Sequence, residues 1–288
     1  MRAFIAFLPA TKQARERIDR LRAEVASAQT SVSGPWGAPQ RRLRYAILNH
    51  DPRAFLTWDV IAETMSPPPY SRFIRSERQF LTAHDWTRWS RALAGRACLS
   101  AANAVHQAYH LCRFEMETGL TIRDFDLIVE FGGGYGEMRR IVDRLGFAGR
   151  YIIFDLPELN ALQQFFFSTN AVPSTVTVSD VQAVAAVLES EAKSRKLFIA
   201  TWSFDEIPLE LRESWGGLLA GFDAFLIAYQ TDFEGLDNQS FFEDWQRLFP
   251  RIVWKAYPNS QLKDSYYLFG VAHARSNSNR VTEAGGNV

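Results

Sequence analysis

Asp126-Leu-Ile-Val-Glu130-Phe-Gly132-Gly-Gly134-Tyr-Gly136-Glu-Met-Arg-Arg140 is the stretch that decides how this chain is built. A short apolar run ends in an acid and three spaced glycines follow. Residues 137–145 then continue with Met138, Ile141, Val142 and Leu145 on one helical face. The pattern reads as strand, turn, helix. Glycines in such a turn permit positive φ and let a ligand approach the backbone closely. A dinucleotide-binding turn is spaced G-x-G-x-x-G, which would put its third glycine at 137. Glu137 stands there instead, and the spacing is E-x-G-x-G-x-G. A glutamate beside a pyrophosphate sets like charges together, which counts against a nicotinamide-dependent oxidoreductase. A glycine turn that binds nothing is the plain alternative.

Working outward, 150–155 (RYIIFD) is a second short strand ending in an acid, Asp155, 19 residues after Gly136. An acid at that place accepts the hydroxyl protons of a ribose, so Asp155 supports an adenosine-type ligand without choosing among them. A helix over 157–168, a strand over 174–178 and a helix over 181–192 follow. Asp180 and Val181 close the third strand; an acid there meets an adenine amino group while an apolar neighbour packs on the ring. A helix N-cap is the equal alternative for Asp180. Beyond lie strands over 196–201 and 224–229, helices over 208–220 and 239–249, and closing strands over 252–256 and 266–272. Strands alternating with helices predict an α/β fold with a seven-stranded, mostly parallel sheet and helices on both faces. The last two strands lack a helix between them, which fits an antiparallel hairpin at one edge.

Before residue 125 no alternating strand pattern occurs. Residues 12–28 read as a helix with Ile18, Leu21 and Val25 at helical spacing, and 31–39 read as a Gly/Pro-broken linker or loop. Residues 44–65 and 71–117 read as helical, separated by Ser66-Pro-Pro-Pro69, the second rich in aromatics (Phe73, Phe80, Trp86, Trp89). The expected organisation is a mainly helical region over 1–120 covering the acceptor site and a ligand-binding α/β domain over 121–274. A Ser/Asn/Gly-rich tail over 275–288 is expected to be disordered. No internal repeat is present.

The 288 residues are 47% hydrophobic and 22% charged, enough for a full core and unlike a disordered or fibrous chain. Lys+Arg and Asp+Glu are 32 each, a balance that argues against a general nucleic-acid binder. Residues 1–120 carry a surplus of +7 and the remainder −7. Either the two parts attract each other across an interface, or a basic N-terminal region faces an anionic or phosphorylated substrate. Cys98 and Cys112 are the only cysteines, too few for a disulfide framework or a zinc site, and read as buried thiols. Residues 1–10 are apolar with a single Arg but lack a cleavage site and run into a charged helix, which reads against a signal peptide. No run reaches the roughly 18 apolar residues of a membrane span. A cytoplasmic protein with a small-molecule acceptor, no membrane and no nucleic acid is expected; homo-oligomer formation stays open.

The E-x-G-x-G-x-G turn resembles motif I of the class I S-adenosylmethionine-dependent methyltransferases. Residues 128–140 (IVEFGGGYGEMRR) with 150–158 (RYIIFDLPE) resemble, more narrowly, the sugar O-methyltransferase family. Similar pieces are 43–49 (LRYAILN), 103–111 (NAVHQAYHL), 200–208 (ATWSFDEIP) and 266–270 (YYLFG). Together they run from about residue 40 to 272. The resemblance implies a class I, Rossmann-like methyltransferase fold and S-adenosylmethionine as methyl donor. The donor site would be carried by Glu130, Gly132, Gly134, Gly136, Asp155, Leu156, Asp180 and Val181. This donor carries a sulfonium and an ammonium and no phosphate, so Glu137 sits well beside it. The Phe-Asp-Leu-Pro segment is also similar to phenolic and polyketide O-methyltransferases, so sugar and phenol both stand as acceptors. A non-catalytic protein keeping the fold is a third reading.

Methyl transfer to oxygen needs the acceptor oriented and its proton removed. Acceptors in such folds lie at the C-terminal ends of the strands, which directs attention to Trp202-Ser-Phe-Asp-Glu206 after the fourth strand. Glu206 is the first candidate for the base, with Asp205 beside it; one of them capping the next helix is the alternative. His106 and His110 lie four apart on one helical face, flanking Tyr109, and are further base candidates. A metal held by this pair with Asp205 or Glu206 lacks a third ligand fixed by spacing, so none is assigned. Asn238 and Tyr109 are candidate acceptor contacts, and Trp202 is the aromatic placed beside the ligand.

Overall fold

The computed structural model describes residues 11–29, 35–65, 72–94, 101–173, 175–260 and 262–273. The expected tail, the first ten residues, the Pro67–Pro69 run and Cys98 lie outside them. Six helices come first: α1 (Lys12–Ser27), α2 (Gly37–Asn49), α3 (Asp59–Met65), α4 (Arg72–Ala83), α5 (Trp86–Leu93) and α6 (Ala101–Thr118). Three breaks depart from the sequence reading, each with a local cause. Helix α2 starts inside the expected loop, because Pro39 sits in its first turn where no N–H is required. The 44–65 stretch breaks at Asp51, whose carboxylate accepts from Arg53 N and starts a 3₁₀ turn over Pro52–Thr57. The 71–117 stretch breaks at Asp85, which adopts φ 98° and caps α5 by accepting from Arg88 N at 3.0 Å.

The α/β part runs β1 (Leu127–Phe131), α7 (Glu137–Arg144), β2 (Arg150–Phe154), α8 (Pro157–Asn170), β3 (Val176–Val178), α9 (Val181–Ser190), β4 (Lys196–Thr201), α10 (Leu209–Leu219) and β5 (Ala224–Gln230). After these come a short hairpin of β6 (Asp232–Phe233) and β7 (Leu236–Asp237), then α11 (Asn238–Arg247), β8 (Ile252–Pro258) and β9 (Ser265–Ala272). The main sheet has the order β3-β2-β1-β4-β5-β9-β8. All pairs from β3 to β5 are parallel, while β9 runs antiparallel to both β5 and β8. Numbering only the seven strands of this sheet, the order is 3-2-1-4-5-7-6, the class I methyltransferase arrangement. The β6–β7 hairpin was not expected; Glu234 (φ 49°) and Gly235 (φ 84°) form its left-handed turn.

Successive strand residues point to opposite faces, and the core divides accordingly. Ile128, Ile153, Ile199, Leu226 and Phe269 join one cluster with Leu21, Ile47, Phe55, Trp89, Leu111 and Phe114 of the N-terminal helices. Leu127, Val129, Ile152, Phe198 and Phe225 join a second cluster with Trp215, Leu219, Phe242 and Trp245 from α10 and α11. The N-terminal helices therefore share a core with one face of the sheet and have no separate one. No helix among the described residues is long and apolar enough to cross a membrane.

Candidate active site

At the C-terminal ends of the parallel strands a cavity of about 1080 Å³ opens between the sheet and the N-terminal helices. Its floor is the glycine turn. Gly132 (φ 71°) passes so close to the β4 loop that a Cβ there would lie 2.3 Å from Ser203 Cβ. Ser203 in turn donates its hydroxyl to Phe131 O at 2.6 Å, locking the β1 and β4 ends together. Gly134 is backed by Met65 of α3, whose sulfur would stand 3.6 Å from an added Cβ.

Asp155 clasps this turn to the end of β2. Its carboxylate accepts from Gly134 N (3.0 Å), Leu156 N (2.8 Å) and the Gln163 amide (3.0 Å), leaving lone pairs for a ligand's hydroxyls. Burial, against these bonds, pushes it up to about 8. Glu130 lies under the turn, its carboxylate accepting from the Tyr151 hydroxyl at 2.9 Å, and burial pushes it up to about 7. Leu156, Asp180 and Val181 line the same end of the cavity. Asp180 also caps α9 by accepting from Gln182 N, so the N-cap alternative holds for a residue that lines the cavity as well. Gly132 and Gly134 line the cavity, whereas Gly136 turns away and packs on Phe167.

The other end is built from Trp36, Phe73, His106, Gln107, Trp202 and Glu206. Trp202 is held at φ 58°, an unusual state for a bulky residue and a sign that its surroundings overdetermine it. Glu206 ends a 3₁₀ turn over Phe204–Glu206 and accepts from Trp36 Nε1 at 3.1 Å. Burial first, and Asp205 next to it, push Glu206 up to about 8. Asp205 points the other way: it is fully buried, accepts from Gln230 N at 2.9 Å, and is not part of the cavity wall. Neither acid caps α10, whose N-cap is Pro208.

The two histidines meet, as their spacing required, but only one reaches the cavity. His106 Nδ1 bonds Glu77 Oε1 at 2.8 Å, its Nε2 lies 3.2 Å from His110 Nε2, and His110 Nδ1 bonds the Tyr267 hydroxyl at 2.7 Å. His106 is in the cavity wall; His110 and Tyr109 are buried behind it. Burial and the neighbouring His106 hold His110 well below its usual value. The pair is thus spent on Glu77 and Tyr267, and among the described residues no three His, Cys, Asp or Glu side chains gather to hold a metal. Asn238 is also buried away from the cavity, accepting from Arg212 at 2.7 Å.

Among the described residues of the cavity wall there is no arginine, and the sole lysine is Lys263. Among the described residues, Arg42 pairs with Glu63 and Arg88 with Glu115, both within the N-terminal region. Of the described ion pairs, Arg44–Glu158 alone joins the two regions.

No protein-family model matches the chain, and no curated protein matches it. Solved structures do, at low identity. An O-methyltransferase family protein from Burkholderia thailandensis is 13% identical with a TM-score of 0.41, covering 92% of this chain and 96% of that one. Magnesium protoporphyrin IX methyltransferase from Synechocystis PCC 6803, with bound S-adenosylmethionine, is 11% identical (TM-score 0.39; 72% and 100% covered). An rRNA methylase from Streptococcus thermophilus is 14% identical (TM-score 0.41; 56% and 93% covered). This chain has the class I methyltransferase fold. That statement rests on its own strand order.

Proposed function

We propose that the protein is an S-adenosylmethionine-dependent O-methyltransferase acting on a hydroxyl of a sugar or glycosylated metabolite. The observation carrying this reading is one cavity that holds Asp155 at the end of β2 and Glu206 at the end of β4. The first is a carboxylate fitted to ribose hydroxyls; the second is a carboxyl group poised near neutral pH. The donor, when bound, supplies an already activated methyl group on a sulfonium. The glycine turn, Glu130, Leu156, Asp180 and Val181 hold it, and the acids suit its positive charge.

Glu206 takes the acceptor's proton, and Trp36 holds the carboxylate in place. A carboxyl group pushed to about 8 keeps a fraction ionised at neutral pH and is a better base than an ordinary one. Trp36, Phe73 and Trp202 supply apolar faces for a ring. The described residues of the wall include no arginine and one lysine, Lys263, which favours an uncharged acceptor over a phosphorylated one. The same three aromatics also suit a phenol, which is the second reading; an acceptor screen with neutral glycosides and phenols separates them.

Calorimetric titration with S-adenosylmethionine and S-adenosylhomocysteine is the test. Micromolar binding, lost in Asp155→Asn, supports the donor assignment. Absence of binding to folded protein would replace it with the non-catalytic reading.

A further inference from the structure

Glu137 is the first residue of α7 and follows directly on Gly136 of the turn. It is 1% exposed, yet it forms part of the cavity wall together with Asn103, Gly134 and Met138. One oxygen, Oε1, is fully engaged: Arg140 donates to it through Nε at 3.0 Å and Nη2 at 2.6 Å. The other, Oε2, is buried with no partner. Arg140 is not free to swing across, because its remaining nitrogen, Nη1, donates to the carbonyls of Ala92 (3.2 Å) and Ala94 (2.9 Å).

A buried carboxylate oxygen left without a donor is costly, and a ligand that brings a charged N–H removes the cost. Burial raises Glu137 above the usual carboxylate range, with Arg140 opposing it from the side of Oε1 alone. The ribose and adenine ends of an adenosine ligand are accounted for by Asp155, Asp180 and Val181. What the rest of the donor brings to the turn is its amino-acid end.

We propose that Glu137 binds the α-ammonium of the donor through Oε2, with Arg140 as its fixed counter-ion on the other side. This rests on the donor reading above and adds to it a residue that tells the intact donor from its adenosine fragment.

The experiment is calorimetric titration of the full chain with three ligands. They are S-adenosylhomocysteine, the same molecule lacking its α-amino group, and 5′-methylthioadenosine, which lacks the amino-acid end altogether. Wild type is expected to bind the deaminated analogue about 10–100-fold more weakly than S-adenosylhomocysteine. Glu137→Gln is expected to weaken S-adenosylhomocysteine by a similar factor and leave the other two ligands unchanged. Equal wild-type affinity for the amino and deaminated ligands overturns the proposal, and this comparison holds even where the variant does not fold. So does a Glu137→Gln variant that binds S-adenosylhomocysteine like wild type, or that weakens all three ligands alike. Wild type binding none of the three would remove the donor reading itself, and the proposal with it.

Discussion

Trp36 Nε1 donates to Glu206 Oε2 at 3.1 Å, joining two residues 170 positions apart in the wall of the cavity. An N–H aimed at a carboxylate favours its ionised form, so this bond holds Glu206 lower than burial alone would. Trp36→Phe is therefore expected to move the acid limb of the rate–pH profile upward from about 8. Glu206→Gln should lower turnover by about 10²–10⁴ and flatten that limb, with donor affinity nearly intact. Initial rates across the neutral to alkaline range check both. An unmoved limb in Trp36→Phe, or wild-type turnover in Glu206→Gln, would hand the base role to His106.

Five buried or half-buried carboxyl groups lie above their ordinary values: Glu130 at about 7, Asp155 and Glu206 at about 8, Asp205 at about 6, and Glu137, raised by its burial. The folded chain therefore holds more protons than the unfolded one between their unfolded values near pH 4 and these raised ones. Stability from this source is complete below that window and declines as pH rises through it. The ligand-free protein is expected to melt at a lower temperature at about pH 8.5 than at about pH 6. Asp155→Asn should shrink the difference. Thermal melts in matched buffers decide it, and a rise in melting temperature toward alkaline pH would refute the assignment.

Gly132→Ala tests the floor of the cavity. The new methyl group would face Ser203 Cβ at 2.3 Å on a backbone at φ 71°. Strain and collision together should cost on the order of 2–4 kcal/mol, read from urea unfolding, and abolish donor binding. A variant of wild-type stability would mean the β4 loop yields freely.

His110→Ala should act on stability and spare the donor. It leaves the buried Tyr267 hydroxyl and His106 Nε2 without their partner. A loss of about 2–4 kcal/mol is expected, with donor affinity unchanged. A large fall in donor affinity at preserved stability would show that the pair reaches the donor site.

The α/β part was legible because its signals are local. Each strand is a short apolar run, Asp155 and Asp180 follow their strands directly, and the glycine spacing lies within one turn. The acceptor end was legible only in pieces. Glu206 and His106 stood out as residue types, but their partners Trp36, Glu77 and Tyr267 come from distant segments that fold onto them. Spacing put His106 and His110 on one face yet carried no sign that only His106 would reach the cavity. The bend at Asp85 was hidden because a left-handed Asp has no periodic signature.

The division of the core between the two faces of the sheet has an outcome for how such a protein can be altered. Met65, Phe73 and Trp202, which shape the chamber, rest on the cluster that holds the N-terminal helices. Trp215, Leu219, Phe242 and Trp245, on the opposite face, touch none of it. Phe131 and Phe154 of that second cluster nonetheless reach the chamber, so the two sides of the sheet meet at its floor. Changes to helices α2 to α6 that leave their buried residues in place are therefore expected to reshape the chamber while the far side of the sheet keeps its own core.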